Sequence, residues 1–266
     1  MQTVSPILDA LFRWMHVLFG VIWLGYGFFF SFVVMPMLAK LEPDVQRRLV
    51  PEMLPRSMFW FKISSILAYI FGLLLLMLVF YHGKLAFANV QGASGYVGPI
   101  AMIVFSLLLA PVVYDLLVNS ALGKTPKALG AALFVLLAVT LLLMIFWAKF
   151  EYRTANIHIG AMLGSITAFN TLFRLLPGQR QLVAGIKAGT PPDPAKMAGA
   201  MLRARHNSYM GVTILWTMIG AHTFSFAGGA MGMTDKTWWI GFLIVTLLGW
   251  HVIFQFLKRA GNMHSF

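Results

Sequence analysis

Long apolar runs alternate with short polar clusters along the whole chain. Seven runs approach or exceed the roughly 20 residues that a helix needs to cross a hydrocarbon core. They fall near 10–37, 61–81, 98–119, 128–148, 156–176, 208–230 and 237–257. The pattern predicts an all-α fold, a polytopic transmembrane helix bundle of about seven spans, as a single membrane domain over 1–266 with no soluble domain. Two connections are long. Residues 38–60 carry three prolines and the charged segment Lys40–Arg56, and residues 177–207 carry Pro177, Gly178 and Thr190–Pro194. Pro and Gly clusters punctuate structure, so both read as loops, the second followed by a short amphipathic helix over Ala195–Arg205. The segment 82–97, with Gly83, Gly92 and Gly95, reads as coil.

Composition agrees with the pattern. Hydrophobic residues make up 59% and charged residues 11%, with a mean hydropathy of +0.80. A soluble domain carries about 45–50% apolar and about 25% charged residues, so a water-facing surface cannot be built. There is no Cys, which excludes thiol catalysis, Cys-ligated zinc, iron–sulfur clusters and covalently attached c-type haem. The net charge of +12 does not point to nucleic acid, because the basic residues lie between apolar runs. Only Arg13, Lys84, Lys149, Arg153 and Lys236 fall on one side; all other Lys and Arg fall on the opposite one. Basic loops stay in the cytoplasm, so the N-terminus is expected outside and the C-terminus inside. No small-residue cleavage site follows the first run, which reads as a retained helix.

Five of the seven histidines lie in spans or at their edges; His82 and His264 read as solvated. An ionisable residue within a span marks a functional hypothesis. At a rise of about 1.5 Å per residue, His16, His158 and His222 sit about 9, 7 and 12 Å below the outer edge. That is one layer on three helices, with His251 and His206 towards the inner side. Imidazole ligates haem iron, copper and zinc, and a Cys-free apolar bundle favours one or two b-type haems on axial histidines. His16, Gly20, Trp23 and Gly27 share a helix face, with glycines where a flat macrocycle would lie and Trp23 placed to stack. Gly164 plays the same part near His158. Close helix packing through small residues explains the same glycines.

Other polar groups gather at the inner ends. Asn170 and Arg174 stand four apart on the fifth span; Arg205 and Asn207 open the sixth; Asp115 ends the third. This set suits a small anion or a proton relay, and an ion pair between Asp115 and Arg174 or Arg205 is the structural alternative.

The chain resembles the N-terminal membrane domain of the bacterial membrane-bound, cytochrome-linked urate oxidase (urate hydroxylase). The likeness is carried by His158, Gly160 and Gly164; Asn170; Pro177 and Gln179; Gly189, Pro192 and Asp193; Arg205 and Asn207; and His222. The first helix, through Arg13, Trp14, His16, Gly20, Trp23 and Gly25, and the segment Val112–Leu117 around Asp115 are similar too. The resemblance implies oxidation of urate to 5-hydroxyisourate in the inner membrane, with electrons passed to a cytochrome c. Family members carry a periplasmic c-type cytochrome domain after the membrane part. Without Cys this chain is expected to pass electrons to a separate cytochrome c or other membrane redox subunits.

Two functions follow from these residues: a membrane b-type haem redox protein in contact with lipid, or a non-catalytic accessory or assembly subunit of a larger membrane complex. The orientation is directly testable. A fluorescent protein fused after Phe266 is expected to fluoresce and an alkaline phosphatase fusion there to be inactive. The opposite pair of results would reverse the assignment.

Overall fold

The computed structural model describes residues 4–190, 193–220, 234 and 236–262. Within them the chain forms seven long helices: α1 Pro6–Leu38, α2 Pro43–His82, α3 Ala93–Asn119, α4 Pro126–Trp147, α5 Tyr152–Ala188, α6 Pro194–Gly220 and α7 Trp238–Ala260. No strand occurs among the described residues. All but α6 are long and apolar enough to cross a membrane. The described part of α6 stops at Gly220, so the rest of the predicted sixth span, with His222, lies outside the described residues.

The expected loops 38–60 and 177–207 are largely helical instead. Helix α2 is 40 residues long and α5 is 37. At about 1.5 Å per residue these exceed a hydrocarbon core of about 30 Å by a wide margin. Helix α2 starts at Pro43 and runs through Pro51 and Pro55 without a break. Its apolar positions explain why: Val50, Leu54 and Phe61 fall on one face and are each at most 4% exposed. Val50 and Leu54 pack with Phe30, Val34 and Leu38 of α1, and with Leu182, Val183 and Ile186 of α5. The charged residues face outwards, where Arg56 pairs with Glu52 at 3.0 Å and Arg47 with Asp44 at 3.5 Å. The expected short helix after Pro194 is continuous with the sixth span. Segment 82–97 is shaped by two 3-10 turns, Leu85–Phe87 and Ala93–Tyr96.

Helices α1, α3 and α5 each contain a π turn: Phe30–Val34, Phe105–Leu109 and Thr171–Leu175. Each ends two residues before a proline: Pro36, Pro111 and Pro177. Proline offers no N–H, and its ring crowds the carbonyl four residues back. That carbonyl lies inside the π turn in all three cases, and the wider turn accommodates the ring.

The chain divides into two compact units. Unit 1 comprises 1–73, 167–211 and 249–266; unit 2 comprises 74–166 and 212–248. The core of unit 1 is Trp23, Phe61, Ala68, Ala168 and Leu175, with a second cluster around Leu54. Unit 2 buries Tyr114, Leu129, Leu141, Met144, Ile159 and Trp238. The most polar span is also the most enclosed. Helix α5 has a span hydropathy of 1.3 and 67% of that window buried, against 2.0–2.8 and 11–33% for the other five candidates.

Leu54 is fully buried and carries the join between α2 and its neighbours in unit 1. Leu54→Ala is expected to destabilise the detergent-solubilised protein by about 2–5 kcal/mol, read from the denaturant midpoint. Exposed Val45→Ala is the control, expected within about 0.5 kcal/mol.

Candidate functional site

In unit 1, His16 turns from α1 onto α2. Its Nδ1 lies 2.8 Å from the carbonyl oxygen of Ala68. A carbonyl only accepts, so Nδ1 carries the proton and Nε2 the lone pair. The ring rests on Gly72, where a Cβ would stand 2.9 Å from the imidazole Cε1. Ala68 and Gly72 are four apart, a small-x-x-x-small pair of the kind that lets helices approach closely. That spacing is the signal by which the seat of His16 was readable, although nothing local joins residues 16 and 68. Gly20, one turn on from His16, has open space where a side chain would be. Trp23 is buried in the core with Phe61 and Ala68.

In unit 2, His158 is wholly enclosed. Its Nδ1–H donates to Thr154 O on its own helix at 2.8 Å, and the Tyr81 hydroxyl donates to its Nε2 at 3.2 Å. The rings of Phe150, Tyr81 and Phe80 surround it, with centroids 4.9, 5.8 and 5.9 Å away. Arg153 lies over the outer face of Phe80 at 5.9 Å. Gly160, two residues on, is filled by a helix: a Cβ there would overlap Thr217 Oγ1 of α6. Gly164 has open space at its Cβ position. Asn156 is fully buried and donates from Nδ2 to Thr217 O at 3.1 Å.

The inner polar residues separate into distinct settings. Asn170 donates to Asn207 Oδ1 at 2.9 Å, and Asn207 Nδ2 donates to Thr167 O at 3.2 Å. Ser208 Oγ donates to Ser31 Oγ at 2.9 Å. Beside them Trp23, Leu24, Gly27, Phe28 and Phe61 line a shallow open groove of about 20 Å³, room for about one water molecule. Arg174 is exposed, with its guanidinium over the Phe169 ring at 5.8 Å. Arg205 is exposed, whereas Arg203, which shares a helix face with Asn207, is 3% exposed. In unit 2, Asp115 accepts from Asn119 Nδ2 at 3.1 Å. Sequence spacing did not single out Arg203, Tyr81 or Thr167.

For a b-type haem the protein must present an imidazole with Nε2 unprotonated and space beside it. Metal-bound histidines hold that tautomer by donating the other N–H to a carbonyl or carboxylate. His16 meets this requirement: Ala68 sets the tautomer, Nε2 has no hydrogen-bond partner among the described residues, and Gly20 leaves space on the same face. His158 has the right tautomer, but Nε2 already accepts from Tyr81. His251 is exposed, and its Nε2 accepts from Gln255 on the same helix at 3.2 Å. His222 lies outside the described residues. Among those described, no three His, Cys, Asp or Glu residues are grouped as for a metal ion.

A family model described as urate oxidase N-terminal matches residues 44–265. The chain belongs to that family. No curated protein and no solved structure matches it. The urate oxidase N-terminal match takes in Asp115, His158, Gly164, Asn170, Arg174, Arg205, Asn207, His222 and His251. It begins after α1, so His16, Gly20 and Trp23 stand outside the matched segment. The polar centres of α5 therefore belong to the part of the chain that defines the family.

The Tyr81–His158 hydrogen bond joins α2 to α5 within unit 2. Tyr81→Phe is expected to cost about 1 kcal/mol of stability, measured by denaturation in detergent. Tyr96→Phe, at an exposed ring, is expected to stay within about 0.5 kcal/mol.

Proposed function

We propose that this protein is a membrane electron-transfer protein of the urate-oxidase type built to hold b-type haem, with His16 as a residue that would hold it. The observation that carries this reading is the His16 imidazole, seated on Gly72 with Nδ1–H given to Ala68 O. Bound there, haem would supply a one-electron carrier. The protein's own part is to hold the Nε2 lone pair in one direction. The Ala68 carbonyl fixes the tautomer, and Gly72 lets the ring lie close to α2. His158, His222 and His251 are the further histidines proposed for ligand or supporting roles, with Trp23 proposed to flank His16 within unit 1 and Gly164 to leave space near His158 within unit 2. The chain is placed in the bacterial inner membrane with its C-terminus in the cytoplasm, one membrane domain passing electrons to a separate cytochrome c or another redox subunit.

Family membership supports urate as the reductant. Urate is a flat anion, and guanidinium groups offer paired N–H donors to such a ligand. Arg174 and Arg205 are the exposed guanidiniums among the inner polar residues. Asn170 and Asn207 are tied to one another and are proposed to hold the polar framework beside these arginines; Asp115 is proposed as a separate polar group within unit 2.

The purified chain is expected to be red, with a b-type reduced-minus-oxidised spectrum. His16→Ala is expected to lose haem or turn it high-spin; single Ala variants at His158, His222 and His251 read out the rest of the axial set. Colourless protein from haem-replete cells would overturn the haem reading and leave an accessory subunit. Isothermal titration with urate is expected to show binding that Arg205→Ala weakens about tenfold, with the haem spectrum unchanged. Wild-type protein that binds no urate would remove urate as the substrate.

A further inference from the structure

Beyond the hydrocarbon core, the extended helices of unit 1 carry charge unequally. From Lys40 to Arg56 the chain holds four Lys and Arg and three Asp and Glu. Arg47 pairs there with Asp44 and Arg56 with Glu52, so the α2 end is close to neutral. From Arg174 to Arg205 the chain holds six Lys and Arg and one acid, Asp193. That carboxylate is engaged at the start of α6, where Oδ1 accepts from the Ala195 N–H at 2.9 Å. The retention of basic loops on one side of a membrane accounts for the sign of both ends. It does not account for one end being balanced and the other left cationic.

The helices set where this charge stands. On α5 beyond Pro177 the exposed positions include Arg180, Gln181, Ala184, Lys187 and Ala188, a single stripe at helical spacing. The opposite face, Leu182, Val183 and Ile186, packs on the cluster around Val50 and Leu54. Helix α6 runs back antiparallel, with Asn170 bonded to Asn207 and Gly178 against Ala200. In that register exposed Lys196 stands about level with position 182, between Arg180 and Lys187. No large apolar side chain is exposed between Phe173 and Met201 among the described residues, so this surface faces water. A hydrocarbon core takes roughly 20 residues, which counted from Tyr152 end close to Arg174. Lys187 lies roughly 20 Å further along the helix. The Debye length is about 8 Å at physiological salt, so headgroup charge is screened before it reaches Lys187.

We propose that Arg180, Lys187 and Lys196 form a docking surface for an acidic segment of a soluble protein. Arg180 and Lys187 are roughly 10 Å apart along α5, the reach of two turns of an acidic helix. Ala184 and Ala188 beside them are small, so the cations stand clear of their surroundings. Complementary charge of this kind steers encounter and sets the salt dependence of binding. None of the three residues is among those proposed for haem or urate. The headgroups of anionic phospholipids are the competing occupant. They would need the same three side chains at the lipid surface.

The test uses the full chain in nanodiscs of uncharged phosphatidylcholine, with fluorescein-labelled oligoglutamate as the acidic probe. Binding is read by fluorescence anisotropy at physiological salt, where charges more than about 8 Å away are screened. The probe is expected to bind, and added salt to weaken it. A variant combining Arg180→Glu, Lys187→Glu and Lys196→Glu is expected to bind about tenfold more weakly. A variant combining Lys40→Glu, Arg47→Glu and Arg48→Glu changes net charge equally at the balanced end, and is expected to stay within about twofold. No binding by the wild type, or an equal loss in the second variant, would overturn the proposal. If the first variant does not fold by thermal melting, Lys187→Gln with Lys196→Gln, expected to bind about threefold more weakly, decides instead. The lipid alternative has its own readout. The chain has no Cys, so Lys187→Cys gives a single attachment point for a fluorescent dye. Iodide in the water is expected to quench that dye, and a nitroxide on the lipid headgroup is expected not to. Quenching from the headgroup would put the stripe on the lipid surface and overturn the docking of a soluble protein.

Discussion

Inside hydrocarbon no water is present to satisfy a polar group, so each one must find its partner within the protein. Helix α5 is where this constraint presses hardest. It carries Asn156, His158, Thr167, Asn170 and Thr171, each at most 1% exposed. Asn156 reaches a carbonyl of α6, His158 reaches its own helix and Tyr81, and Asn170 reaches Asn207. An unmet polar group would cost about 1–3 kcal/mol, so the helix with the lowest hydropathy must be wrapped by the others. The glycines serve the same end. Gly160 lies against Thr217, and a Cβ at Gly220 would stand 2.9 Å from Asn156 Nδ2. With side chains at those two points, α6 would stand too far away for Asn156 to reach the Thr217 carbonyl.

His158 and His16 show how one chemical device yields two different outcomes. In both, Nδ1–H is spent on a backbone carbonyl, which leaves the lone pair on Nε2. For His158 the carbonyl is four residues back on the same helix, so α5 alone sets the tautomer. Tyr81 then donates to Nε2 and completes a closed aromatic cage. For His16 the carbonyl belongs to α2, so the ring is oriented by a pair of helices, and Nε2 is left open. The first arrangement ties helices together; the second leaves Nε2 without a hydrogen-bond partner among the described residues. Position in the sequence does not separate them, since both lie at similar depth from a helix end.

The helices themselves were legible, because unbroken apolar runs of span length have few alternatives in lipid. Their ends were not. Pro51 and Pro55 read as breakers, yet α2 continues through them because Val50, Leu54 and Phe61 are buried on one face. That packing depends on α1 and α5, which local rules do not see. Of the inner polar residues, Asn170 and Asn207 were expected only on one side of the membrane, and the structure joins them by a hydrogen bond. Arg203 was passed over in favour of Arg205, although helical spacing places position 203, four before Asn207, on its face and position 205 away from it.

The separation of Asn170 from Arg174 has a specific cause. Spaced four apart on a regular α-helix, they would share a face. Asn170 is fully buried, and Arg174 is exposed with its guanidinium over Phe169. The π turn Thr171–Leu175 begins right after Asn170, and in such a turn bonds run to the fifth residue. The residue brought back over Asn170 is therefore Leu175, which is 8% exposed, while Arg174 is rotated outwards. The wider turn gives room to the ring of Pro177, which has no N–H and crowds the carbonyl of Phe173. It leaves an amide inside the protein and a guanidinium outside it. The guanidinium is carried to the surface, and the neutral amide stays buried with its Nδ2–H given to Asn207.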